Sequence, residues 1–208
     1  LGMIRVSAAR LASQMSLECF TTNFENHFPL FLFFPVSASR GEIRSKTQVF
    51  ARAILKLAKE QEMDLTIGVS MCSDEISQIP ASFRQALDMI ALGEKIQPQE
   101  TVHAYDDLQI YHMMDRTLST EELRSFADLV WPLYMEDQEN ATNLVQTLDV
   151  FIHCKFNVTQ AAAALFLHRN SLAYRINKIQ DILGIDLNQR PDLFQIQMSI
   201  CALKLYLS

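Results

Sequence analysis

The most constraining stretch of this chain lies near its end, in residues 157–184, NVTQAAAALFLHRNSLAYRINKIQDILG. Asn157 or Thr159 can cap a short helix running through Leu165. The alanines from Ala161 to Ala164 leave room for another helix to cross closely. Phe166-Leu167-His168 interrupts that helix, and a second one starts near Arg169 and runs to about Leu183. Gly184 then stands where a left-handed residue ends a helix. A short helix, a tight turn and a longer helix are the parts of a helix-turn-helix. At about 100° per residue from Arg169, Leu172, Ile176, Ile179 and Leu183 gather within roughly 280–340°, which predicts a buried stripe. The opposite arc holds Asn170, Ser171, Tyr174, Asn177 and Lys178, with Arg175 beside it and Arg169 at the N-terminal tip.

Those groups suit a nucleic-acid duplex. Asn pairs bidentately with adenine and Arg with guanine, while Lys, Ser and Tyr hold phosphates. On this reading Asn170, Tyr174 and Asn177 face bases. Arg169, Ser171, Arg175 and Lys178 share phosphates and one guanine, and Thr159 anchors the first helix to the backbone. His168 sits at the turn, where it touches a phosphate or caps the second helix. Asp181 shares the arc and is tolerable only if the helix enters a groove by its N-terminal end. Geometry alone leaves the plainer alternative open, a helix pair whose polar arc is simply solvated.

Charge sharpens the choice. The 208 residues carry a net charge of −6, which by itself argues against a polyanionic partner. Residues 1–152 hold 12 basic and 21 acidic residues, a net −9, and residues 153–208 hold 6 and 3, a net +3. Such asymmetry between halves points to two roles. The basic end can approach a polyanion; the acidic front cannot wrap one.

The front reads as an α/β module. Residues 7–28 suggest one helix or two short ones, with Ala8, Leu11, Met15 and Phe20 as a buried stripe. Leu30–Phe34 is continuously apolar between Pro29 and Pro35, the pattern of a fully buried strand. Residues 42–61 form an amphipathic helix with Ile43, Phe50, Ile54 and Leu57 on one face. Leu65–Met71 is a second strand, residues 80–94 a helix opened by Pro80, and Val102–Tyr105 a third strand. From residue 108 the chain reads as all-helical. Ser119 and Glu122 fit a capping box, and Pro132 should kink or end the helix they open. The acidic run Glu136–Glu139 reads as a solvated loop. Residues 140–154 form a further helix. The last helix has Pro191 and Asp192 at its start. It is apolar nearly all round from Leu193 to Leu207, so part of it should meet the α/β module or a second subunit.

The residues also carry a family resemblance. Residues 119–207 resemble the C-terminal DNA-binding domain of the PucR/CdaR family of bacterial transcription regulators. The likeness rests on several stretches: Phe126-Ala127 through Trp131-Pro132-Leu133, Thr147-Leu148, Asn157-Val158-Thr159 with Ala161-Ala162, and Leu183-Gly184-Ile185-Asp186-Leu187. Its most specific part is Leu167-His168-Arg169-Asn170-Ser171-Leu172 followed by Tyr174-Arg175-Ile176. The resemblance implies that this helix reads DNA and that the protein controls transcription. More weakly, the front is similar to the degenerate GGDEF-like module that often precedes this domain, through Thr66–Ser70, Ser82–Ala86 and Tyr105–Leu108. The acidic G-G-[DE]-E-F turn that holds the catalytic metal in active cyclases is absent from the sequence.

The expected fold class is therefore α+β and mostly helical. A small α/β, degenerate GGDEF-like module over 1–115, truncated at its front, precedes an all-helical domain over 116–208 with the helix-turn-helix at 158–183. The expected function is sequence-specific recognition of double-stranded DNA by a homodimer, on half-sites about 34 Å apart, under an unidentified small-molecule effector. No cofactor, metal or catalytic residue is expected. Cys19, Cys72, Cys154 and Cys201 are widely spaced and fit free thiols in a reducing cytoplasm. His27, His103, His112 and His153 are scattered and read as ordinary surface or half-buried side chains. No run of about 18 apolar residues and no signal peptide occurs, so no membrane partner is expected. The rival reading is a non-catalytic sensing or dimerisation module whose helix-turn-helix no longer binds DNA. A nucleotide cyclase is a distant third.

Overall fold

The computed structural model describes residues 2–189 and 193–208. Contacts divide the chain into two compact units between Gln109 and Ile110. The architecture is α+β and mostly helical.

In the N-terminal unit, α1 (Gly2–Gln14) is followed by β1 (Glu18–Thr21) and β2 (Leu30–Phe33). Then come α2 (Arg40–Lys59), β3 (Ile67–Val69), α3 (Ile79–Ile96) and β4 (Val102–Ala104). β1 and β2 pair antiparallel, with Glu18 opposite Phe33 and Thr21 opposite Leu30. β3 and β4 pair parallel, with Ile67 opposite Val102. The strands thus form two separate two-stranded sheets. One core gathers Ile4, Ala8 and Ala12 of α1, Leu17, and Phe50, Ile54 and Ala58 of α2. α2 begins where Ser39 accepts the Glu42 amide at 3.2 Å, an N-cap of the usual kind.

Two expectations for this unit are corrected. The helix expected over 7–28 stops at Gln14, because Ser16 turns left-handed (φ 56°). The Leu17 amide returns to the Ala12 carbonyl at 2.9 Å, and a strand follows. Phe20 accordingly leaves the buried stripe and is 59% exposed on the sheet. Leu30–Phe33 is not a fully buried strand either: Leu30, Phe31 and Leu32 are half-buried and Phe33 is exposed. A two-stranded sheet covered on one side leaves its other face to solvent, whatever the sequence alternation.

α3 packs on β3 and β4 through two glycines, and one packing detail has a chemical consequence. His103 on β4 is buried, lies against Gly93 of α3, and has no hydrogen-bond partner for either ring nitrogen. Burial holds its pKa below the ordinary histidine value, against the upward pull of Glu94 and Glu100. The unfolded chain takes up this proton below about pH 6.5, whereas the folded unit resists it to a lower pH. Stability is therefore complete above that value and is lost as pH falls through the folded pKa. Urea denaturation at about pH 7.5 and about pH 5.5 should show this loss, and His103→Phe should flatten it. An unchanged slope in the variant would refute the assignment.

The C-terminal unit follows α4 (Tyr105–Thr117), which spans the division, and comprises α5 (Thr120–Phe126), α6 (Trp131–Asn140), α7 (Leu144–His153), α8 (Val158–Ala164), α9 (Arg169–Leu183) and α10 (Leu193–Leu207). The capping box forms as expected: Ser119 Oγ accepts the Glu122 amide at 3.3 Å, and Glu122 Oε2 accepts the Ser119 amide at 2.8 Å. The helix opened by Ser119 ends at Phe126, ahead of Pro132, which stands in the first turn of α6, where its missing N–H costs nothing. The Val130 amide donates to the Ala127 carbonyl at 3.1 Å and also to Ser199 Oγ of α10 at 3.2 Å in the core. Arg124 stacks 3.4 Å above the Trp131 ring, and Tyr206 meets that ring edge-on at 5.8 Å. α10 buries Ile196, Ile200, Ala202, Leu203 and Leu205 but exposes Phe194 and Leu207. The expected start of this helix at Pro191 and Asp192 lies outside the described residues.

Candidate nucleic-acid interface

The helix-turn-helix is built from α8 and α9, both packed on α7. Asn157 caps α8 by accepting the Gln160 amide at 3.0 Å, which leaves Thr159 exposed in the first turn. Of the four alanines, Ala161 and Ala162 are buried, allowing the close crossing, while Ala163 and Ala164 are exposed. The turn closes through the Leu167 amide on the Ala162 carbonyl at 2.9 Å, with Phe166 left-handed (φ 54°) and 97% exposed. His168 is the N-cap of α9: its Nδ1 accepts the Asn170 amide at 3.3 Å. A neutral ring accepting at Nδ1 carries its proton on Nε2, which makes this exposed side chain a donor. Gly184, at φ 63°, ends α9 with its amide on the Gln180 carbonyl.

The phase of α9 is the one its apolar spacing predicts. Leu172 and Ile179 are fully buried, and Ile176 and Leu183 are half-buried. Arg169, Asn170, Ser171, Tyr174 and Asn177 are exposed, Tyr174 by 66%. From Asn170 to Lys178 the polar strip runs about 12 Å along the axis. It lines an open cleft of about 500 Å³ whose other wall is the Ala141–Leu144 segment.

Arg175 and Lys178 are half-buried, each bonded within its own unit. Arg175 Nη1 donates to Thr147 Oγ1 at 3.2 Å. The Thr147 hydroxyl, fully buried, donates onward to the Asn143 carbonyl at 2.7 Å. Lys178 Nζ is ion-paired with Glu136 Oε1 of α6, and Asn140 Nδ2 donates to the same oxygen at 2.8 Å. The hydrogen bond from Lys178 holds the Glu136 carboxyl below the usual carboxylate range, and Glu136 holds the lysine above its own.

The acidic run expected as a solvated loop is therefore corrected: it belongs to α6, and two of its members are engaged. Beside Glu136, Asp137 caps α7 from outside. Its Oδ1 accepts the Leu144 amide at 2.6 Å and the Thr142 hydroxyl at 2.7 Å, and its Oδ2 accepts the Val145 amide at 3.0 Å. That carboxylate satisfies orphan donors at the positive end of a helix whose own N-cap, Asn143, makes no side-chain cap. Sequence reasoning missed Glu136, Asp137 and Thr147. An acidic residue a few positions ahead of a helix start was the one local signal available, and it belonged to Asp137.

Elsewhere the four cysteines are free thiols. Among the described residues, no three His, Cys, Asp or Glu side chains come close enough to hold a metal ion, and no helix is long and apolar enough to cross a membrane.

Residues 144–202, the span from α7 into α10, match the family model described as the PucR C-terminal helix-turn-helix domain. Relatives extend the likeness beyond that span. The chain is 22% identical over 136 residues to the purine catabolism regulatory protein of Bacillus subtilis, covering 65% of this chain and 25% of that protein. It is 29% identical over 156 residues to the DNA-binding transcriptional activator AdeR of the same organism, covering 73% and 37%. To the carbohydrate diacid regulator of Escherichia coli it is 28% identical over 115 residues, covering 55% and 29%. The matched part spans well under half the length of each of these relatives.

Proposed function

We propose that the chain is a DNA-binding transcription regulator of the PucR type, a reading supported by the match of residues 144–202 to the PucR C-terminal helix-turn-helix domain and by the likeness to regulators. The observation that carries this reading is the exposed polar arc of α9 set opposite the buried Leu172 and Ile179. α9 enters the major groove by its N-terminal end. Asn170, Tyr174 and Asn177 meet base edges, and Arg169, Ser171 and Arg175 meet phosphates. Thr159 at the start of α8 and the His168 Nε2 proton fix the helix pair on the backbone. Lys178 is the remaining cation of the arc. One such helix contacts too little DNA for a specific site, so the working form is a homodimer on half-sites about 34 Å apart. The N-terminal unit, GGDEF-like without the acidic catalytic turn, serves this regulation without catalysis, under a small-molecule effector, in the bacterial cytoplasm.

Mobility-shift titration of a duplex of about 40 base pairs, selected by the chain from a randomised library, tests the reading; that length accommodates two half-sites. Arg175→Ala should weaken binding to every duplex and reduce the slope of log K against log salt by about one phosphate, roughly 0.9. Asn170→Ala should cost about 1–3 kcal/mol on the selected duplex and little on an unrelated one. Parent-like binding by both variants would remove α9 from the interface. The rival, a helix-turn-helix that no longer binds DNA, draws on the internal bonds of Arg175 and Lys178 and on the acidic front half. It predicts no shift of any duplex, even at low salt.

A further inference from the structure

We propose that Glu136 acts as a built-in brake on DNA affinity, holding Lys178 on α6 and presenting its own carboxylate where a phosphate would otherwise sit. This rests on the reading of α9 as the groove-entering helix. Lys178 shares a helix face with Ser171 and Tyr174, at the spacings that align side chains along α9. It is therefore a natural phosphate ligand by position. Yet its ammonium is already bonded to Glu136 Oε1, and both side chains are largely covered, 28% and 22% exposed. Asn140 donates to the same carboxylate oxygen and so holds the acceptor in place. A phosphate approaching Lys178 must displace a fixed anion, and it meets that anion's repulsion.

The two half-buried cations of α9 thus differ in kind. Arg175 rests on a neutral hydroxyl, Thr147 Oγ1, keeps its charge uncompensated and has further N–H donors to offer. Lys178 is compensated. Asp137 also attracts Lys178 through its charge, but its carboxylate is fixed on the start of α7 by the Leu144 and Val145 amides and the Thr142 hydroxyl, whereas Glu136 bonds the ammonium directly. Neutralising Glu136 should therefore remove the direct partner of Lys178 and leave its ammonium open to a phosphate.

The test compares variants of the full chain on the library-selected duplex and on an unrelated duplex of the same length, across a salt series. Glu136→Gln keeps an oxygen for Asn140 and removes the charge. It should bind both duplexes roughly three- to tenfold tighter at low salt, with a slope steeper by about 0.9, one added phosphate contact. Asp128→Asn is the control: it makes the same change in net charge at a carboxylate engaged by Arg124, and its slope should stay at the parent value. Lys178→Met combined with Glu136→Gln should erase the gain, because the released cation is then absent. A merely structural pair would change the melting temperature without steepening the slope. A Glu136→Gln slope equal to that of the parent or of Asp128→Asn overturns the proposal, as does a gain that survives in the Glu136→Gln, Lys178→Met double variant. Binding by the parent with no gain in Glu136→Gln overturns this proposal alone; no binding by the parent overturns the α9 reading along with it.

Discussion

Leu172→Ala is expected to destabilise the C-terminal unit by about 2–5 kcal/mol, while Ser171→Ala changes it by no more than about 0.5 kcal/mol. The two positions are adjacent in sequence and about 100° apart around α9. Leu172 is fully buried in the helix packing, and truncating it removes methyl groups from contact and leaves a cavity that its neighbours fill only in part. Ser171 is exposed and supports nothing in the core. The single tryptophan, Trp131, lies in the same unit between Arg124 and Tyr206, so its fluorescence in a urea titration reads both variants. The contrast fixes the rotational phase of the helix, from which every assignment on its outer face follows. Comparable losses at both positions would mean that the face is misplaced.

Gly68→Ala is expected to cost the N-terminal unit about 3 kcal/mol or more, the upper range for forcing atoms into a packed interface. A Cβ at Gly68 would lie 1.9 Å from the Ala86 carbonyl oxygen and 2.9 Å from Ile90 Cγ1, both on α3. The first of these is backbone, which cannot swing aside as a side chain would. β3 must then part from α3, and its parallel pairing with β4 goes with it. Gly41 provides the contrast: a Cβ there meets only Ser39 Oγ, at 4.0 Å, on a helix where alanine is the better residue. Amide hydrogen exchange at Ile67–Val69 reads the difference, with protection lost in Gly68→Ala and kept in Gly41→Ala. Retained protection at β3 in Gly68→Ala would contradict the close packing of strand on helix.

The helix-turn-helix was legible because its determinants are local. The apolar spacing from Leu172 to Leu183, the capping position of His168 and the left-handed Gly184 all act within one or two turns. The Ser119–Glu122 box was legible for the same reason. The misread parts depend on partners remote in sequence. β1 is only four residues long, too short for an alternation to stand out, and the left-handed Ser16 that ends α1 is not a residue that announces such a turn. Leu30–Phe33 carries a core strand's composition, but its exposure is decided by how many strands pair with it. Glu136 meets Lys178 across 42 positions and Thr147 meets Arg175 across 28. Residue types could name the cations of α9; only the fold shows that one is held by a hydroxyl and the other by a carboxylate.

The account stands most directly on a map of the surface that a duplex touches. Amide chemical shifts of the full chain, followed while the selected duplex is added, provide that map. The account predicts that the largest changes fall on the first turn of α8 around Thr159 and on His168 through Lys178, and that the amides of β1 and β2 stay where they were. Changes centred on the N-terminal unit, with α9 silent at saturating duplex, would contradict it.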